Sequence, residues 1–111
     1  FPGFSAYASS NHALLGLTRS LAAETARLGV TVNAVCPGYV NTDLTGENAQ
    51  RLAEKRGQSL DDALAMLAAS CPQRRLIEPE EVSYATLMLA SERARGITGQ
   101  GIQVDGGAVM A

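Results

Sequence analysis

The chain contains two short strand-like runs, and the sequence before and between them is of helical character; this imbalance is the tightest constraint on its fold. Val30-Thr31-Val32-Asn33-Ala34-Val35-Cys36 is rich in β-branched residues and bounded by Gly29 and Pro37-Gly38, which reads as a buried strand of the parallel type. Ile102-Gln103-Val104 follows the turn-rich Gly96-Ile97-Thr98-Gly99-Gln100-Gly101 and is closed by Asp105-Gly106-Gly107, so it reads as a last short strand and its turn. Helix, tight turn, strand and loop in that order indicate an α/β fold. A parallel sheet of two strands leaves both edges unpaired and is too small to support several helices. The sequence therefore reads as a portion of a larger parallel sheet, incomplete as given.

The helices announce themselves by their ends. Pro2-Gly3 marks a turn, Ser5 is the expected N-cap, and Ala6 to Leu28 runs without proline until Gly29 stops it. Leu14, Leu17, Leu21 and Leu28 recur at helical spacing on one stripe. Thr45 or Asn48 is the expected cap of a short helix ending near Gly57, and Ser59 that of another from Leu60 to Ala69. Pro79 suits the first position of a helix to Ala90, with Glu80 and Glu81 at the positive end of its dipole.

Nine Lys and Arg against eleven Asp and Glu give a formal charge of −2, with both signs mixed along the chain. Neither nucleic acid nor a membrane surface is an expected partner for such a balance. No apolar stretch approaches the roughly 18 to 20 residues of a membrane span, and Phe1-Pro2-Gly3-Phe4 lacks signal-peptide features, so a cytoplasmic location is expected. Cys36 and Cys71 have neither metal-motif spacing nor the density of a disulfide framework and read as ordinary thiols; no metal site is expected. No repeat or linker divides the sequence, so residues 1–111 are expected to form one piece.

Tyr7-Ala8-Ser9-Ser10-Asn11-His12-Ala13, Val32-Asn33-Ala34-Val35-Cys36-Pro37-Gly38-Tyr39-Val40-Asn41-Thr42, Glu78-Pro79-Glu80-Glu81-Val82 and Ile97-Thr98-Gly99-Gln100 with Val104-Asp105-Gly106-Gly107 occur in one order across nearly the whole chain. Together they resemble the C-terminal half of the short-chain dehydrogenase/reductase family, above all its 3-oxoacyl thioester reductases and 3-hydroxyacid dehydrogenases. The resemblance implies the C-terminal portion of a Rossmann-type, doubly wound parallel sheet. It also implies hydride transfer between NAD or NADP and a carbonyl or alcohol, with Tyr7 as the catalytic acid/base. A phenol has a pKa near 10, so about one in a thousand is ionised near neutral pH. The family lowers that value with a lysine one helical turn after the tyrosine, which also holds the nicotinamide ribose.

Here that position is Asn11, an amide able to bond ribose hydroxyls but without charge. His12 points about 140° away round the helix, and the single lysine, Lys55, lies in the variable loop region. By the same resemblance Pro37, Gly38, Val40 and Thr42 contact the nicotinamide, Tyr39 faces the substrate, and residues 39–72 form the substrate-loop region. The substrate class implied is 3-oxoacyl, 3-hydroxyacyl or cyclic ketone. The glycine-rich pyrophosphate turn and the carbonyl-polarising serine belong to the family's N-terminal half and have no match here, so the isolated chain is not expected to be competent. In the family the helices matching residues 6–28 and 79–90 mediate dimer and tetramer contacts, which implies a homo-oligomer. The alternative is a non-catalytic fragment or degenerate relative that keeps only those association surfaces. Arg74-Arg75 reads as a solvated pair, or less simply as a site for an anionic thioester.

Overall fold

The computed structural model describes residues 3–110, which leaves Pro2 of the expected Pro2-Gly3 turn outside the described residues. In chain order the elements are α1 (Ser5–Thr25), β1 (Ala34–Pro37), α2 (Asp43–Arg56), α3 (Leu60–Ala68), α4 (Pro79–Ala90) and β2 (Gly101–Val104); single 3₁₀ turns follow α1 (Ala26–Leu28) and α4 (Glu92–Ala94). β1 pairs with β2. The bonds Ala34 N–H to Gln100 O and Gly38 N–H to Val104 O advance together along both strands, which makes the pair parallel, as expected.

Three boundaries differ from those read in the sequence. Ser5 does not cap α1 but is its first residue, behind Phe4, and no side chain caps the helix. The first strand begins at Ala34 rather than Val30. Its expected first half is held by a loop instead: Thr98 Oγ1 accepts from Val32 N–H at 3.1 Å, and Val32 O accepts from Gly99 N–H at 2.7 Å. α2 is longer than expected because Thr42, in an extended conformation, caps it, accepting from Thr45 N–H at 3.4 Å. Thr45 and Asn48, the two expected caps, both lie inside the helix instead, Thr45 buried. Gly29 and Gly57 stop their helices in the left-handed conformation, with φ of 72° and 62°. Ser59 caps α3 and Pro79 opens α4 where the sequence placed them.

The chain packs as two units, Phe1–Val35 with Thr86–Ile102, and Cys36–Ala85 with Gln103–Ala111. In the first, Thr18, Ala22 and Ala94 are buried, and Ala22 lies beneath the Gly99 turn. In the second, α2 and α3 meet through Ala49, Ala53 and Ala63, with Leu52, Leu64 and Leu67 packed around them. Alanine at all three positions lets the two helices approach closely, because no side chain extends beyond Cβ. Cys71 and Ile77 are buried in this unit and Cys36 is half-buried.

The leucine stripe of α1 and the turn after it is not covered: Leu14, Leu17 and Leu28 are more than half exposed, as are Tyr84 and Leu87 on α4. Among the described residues no large side chain is fully buried.

Candidate active site

Tyr7 sits in the first turn of α1, 65% exposed, its ring edge-on to that of Phe4 with centroids 6.3 Å apart. Its backbone carbonyl accepts from Ser10 Oγ at 2.9 Å, so Ser10 serves the helix backbone. Asn11, one turn further and exposed, shares the face of the tyrosine. His12 is exposed and its Nδ1 lies 2.8 Å from Ala8 O, a local contact consistent with a surface histidine.

Pro37, Gly38, Tyr39, Val40 and Thr42 form a second group, on β1 and the turn into α2, within the other unit. Gly38 N–H continues the ladder, donating to Val104 O at 3.1 Å. A Cβ on Gly38 would meet Asp105 Cα and Cβ at 3.1 Å, so the close approach that favours glycine is to the Asp105 turn. That turn is tightly bonded: the buried Asp105 carboxylate accepts from Gly107 and Val109 N–H, each at 3.0 Å. It has the structural role expected of Asp105-Gly106-Gly107.

Beyond β1 the chain is held by one parallel bridge, Val40 to Ile77. Asn41 N–H donates to Ile77 O at 2.8 Å and Ile77 N–H donates to Tyr39 O at 2.9 Å. This pattern uses the groups flanking Val40 and leaves Val40's own N–H and C=O on the opposite side of the strand. Among the described residues the N–H meets no acceptor, and the C=O accepts only from Thr42 Oγ1 at 3.4 Å. A half-buried residue presenting one donor and one acceptor side by side is matched by a primary amide. Thr42 also spends its hydroxyl on capping α2, so that group is shared between the helix and any ligand.

Sequence reasoning missed the brace behind this turn. Arg75 is not simply solvated: its guanidinium makes a bidentate pair with Glu81, both N–O distances 2.7 Å. Glu81 Oε2 also accepts from Glu78 N–H at 2.7 Å, the backward half of a capping box on α4. The hydrogen bonds from Arg75 and then Glu78 N–H hold the Glu81 carboxyl at about 2, below the usual carboxylate range. Asn41 Nδ2 reaches the Glu78 carboxylate at 3.3 and 3.4 Å. The signal available in the sequence was Glu81 three residues after Glu78, at the start of a proline-led helix. Asn33 was missed as well: it donates to Ile97 O at 2.8 Å and accepts from Gln100 N–H at 3.1 Å. An asparagine amid β-branched residues was its only signal. Among the described residues no cluster of His, Cys, Asp or Glu could hold a metal, and no helix is long and apolar enough to cross a membrane.

A family model described as enoyl-(acyl carrier protein) reductase matches residues 1–109. The uncharacterized oxidoreductase YxjF of Bacillus subtilis (strain 168) is 43% identical over 108 residues, 96% of this chain and 42% of that protein. A short chain dehydrogenase family protein from Francisella tularensis subsp. tularensis SCHU S4 superposes with a TM-score of 0.93 at 35% identity, over 97% of this chain and 45% of that one. A variant of the actinorhodin polyketide ketoreductase with NADPH superposes with a TM-score of 0.85 at 34% identity, over 92% and 39%. The chain spans about two fifths of the length of the curated relative it matches.

Proposed function

Because the chain belongs to the short-chain dehydrogenase/reductase family, we propose that it supplies the acid/base tyrosine and the nicotinamide-side turn of an oxidoreductase acting on a carbonyl or alcohol. In this reading residues 1–111 are the C-terminal half of one Rossmann-type domain. NAD or NADP, when bound, supplies or accepts the hydride. Tyr7 donates its phenolic proton to the oxygen of the carbonyl as that oxygen gains negative charge, and takes it back in the reverse direction. Its exposure on α1 keeps the hydroxyl accessible to a substrate. Asn11 hydrogen-bonds ribose hydroxyls but gives a phenolate no Coulombic support, so the proton transfer is slower than with a cation at that position. Pro37 and Gly38 end the strand, Val40 receives the carboxamide through its backbone pair with Thr42 beside it, and Tyr39 lies on the substrate side.

The observation that carries this reading is the Val40 turn, whose N–H meets no acceptor among the described residues and whose C=O accepts only the long bond from Thr42, a pair that suits an amide, in a chain carrying Tyr7 in the family's order. The substrate class is 3-oxoacyl, 3-hydroxyacyl or cyclic ketone; the polyketide ketoreductase supports a ketone, and the family model's description supports an acyl chain. The test is titration of the full-length enzyme with NADH and NADPH, followed by cofactor consumption with a 3-oxoacyl thioester and a cyclic ketone. Saturable binding and turnover support the proposal; absence of binding to either cofactor overturns it. A second reading, a non-catalytic relative that associates through α1 and α4, is favoured by Asn11 and by the uncovered apolar faces of those helices. A monodisperse monomer of the full-length protein in light scattering would remove it.

A further inference from the structure

We infer that Arg75, Glu81 and Glu78 are positioning residues for the Tyr39–Thr42 turn, setting cofactor affinity without touching the cofactor; this rests on the reading above. The turn lies beyond the two-stranded ladder, where one residue pair, Val40 and Ile77, carries the pairing. Its position is therefore that of Ile77 and Glu78. Both Asn41 N–H and Tyr39 O bond to Ile77, and the Asn41 side chain bonds to the Glu78 carboxylate. Glu78 is in turn fixed from the other side, because the Glu81 carboxylate accepts its N–H at 2.7 Å. Glu81 is itself held by both arms of the Arg75 guanidinium, and that guanidinium also donates to Leu76 O at 3.2 Å. The segment 75–78 is thus clamped at its two ends, and the turn hangs from its middle. Carboxylate bonds of this length and directionality restrain geometry more tightly than neutral ones. A carboxyl held near 2 stays ionised at any pH suited to an enzyme assay. Each residue involved lies in one unit of the chain.

The consequence is specific. Loosening the clamp lets Val40 drift from the place where its N–H and C=O meet the carboxamide, which costs binding; Tyr7, on another element, keeps its chemistry once the cofactor is saturating. The experiment compares Glu81→Ala, Arg75→Ala and Glu81→Gln in the full-length enzyme. Asn33→Ala is the control, since it loosens residues 97–100 and leaves this brace intact. Two readouts are taken: amide hydrogen exchange at Asn41 and Ile77, and the KM for the nicotinamide cofactor against kcat. Glu81→Ala and Arg75→Ala are expected to speed exchange at both amides about tenfold. They should also raise the cofactor KM about tenfold, with kcat held within about twofold. Glu81→Gln keeps an acceptor for Glu78 N–H and should recover part of both effects. Asn33→Ala should move neither. Unchanged exchange at Asn41 and Ile77 in Glu81→Ala overturns the inference, as does an equal rise in KM in the control. Failure of the wild-type enzyme to bind any nicotinamide overturns the functional reading and the effect on affinity with it. The exchange data then still decide whether the brace holds the turn.

Discussion

Replacing Asn33 by alanine tests how the approach to β1 is fixed. The Asn33 side chain donates to Ile97 O at 2.8 Å and accepts from Gln100 N–H at 3.1 Å, spanning the loop that leads into β2. Both are neutral bonds, each contributing about 0.5 to 1.5 kcal/mol, so losing the pair costs about 1 to 3 kcal/mol. Asn33 is only half-buried, so water can reach the released groups and the lower part of that range applies, about 1 to 2 kcal/mol. Urea denaturation of the folded full-length protein should show that loss as a lower midpoint with an unchanged slope. Exchange at Gln100 should accelerate about tenfold, the local equivalent of about 1.4 kcal/mol. Asn33→Asp sharpens the test. It keeps an acceptor for Gln100 N–H but sets a carboxylate against Ile97 O, so at neutral pH it should be at least as destabilising as alanine. It should recover as acid protonates the introduced carboxyl, which can then donate to that carbonyl. A cost below about 0.5 kcal/mol for Asn33→Ala, or wild-type stability of Asn33→Asp at neutral pH, would refute the assignment of these bonds as the support of the loop.

Other outcomes follow from the same structure. Asn11→Lys in the full-length enzyme restores a cation one turn from Tyr7 and should increase turnover about tenfold or more; steady-state assay at saturating cofactor checks it, and an unchanged rate would contradict the account of the missing charge. Gly106→Ala should be strongly destabilising, because φ is +64° there and an added Cβ would lie 2.8 Å from Cys71 Sγ, read as a lower thermal midpoint. The Glu81 carboxyl is depressed from 4.5 to about 2 in the folded chain, so its stabilisation is fully present above about 4.5 and is lost as pH falls towards 2. Acid denaturation followed by circular dichroism should therefore be less steep in that window for Glu81→Gln than for the wild type.

The local signals were legible and the long-range ones were not. Gly29, Gly57, Ser59 and Pro79 end or begin helices through their own backbone and side-chain chemistry, and each stands where the sequence placed it. The start of β1 was misplaced because Val32 and Asn33 are satisfied by residues 97–100, far along the chain. The cap of α2 was misplaced because the choice between Thr42 and Thr45 turns on backbone geometry, an extended φ and ψ at Thr42, that composition does not reveal. The Arg75–Glu81 pair follows directly on Arg74, whose φ of 52° is unusual for a residue with a side chain and has no signal in the sequence. At the candidate site, Tyr7 and the Pro37–Thr42 turn were recognisable from motif order, whereas the outward-facing backbone N–H and C=O of Val40 appear only once Ile77 is seen bonding its neighbours.

In the proposed reaction Tyr7 moves the proton that accompanies hydride transfer. The most direct test is single-turnover oxidation of bound reduced nicotinamide by a ketone substrate in the full-length enzyme, comparing wild type with Tyr7→Phe at equal cofactor occupancy. Loss of the phenolic proton with the ring retained should slow the chemical step by about a hundred- to ten-thousandfold while cofactor affinity stays unchanged. A Tyr7→Phe enzyme that oxidises the cofactor at the wild-type rate would contradict the claim.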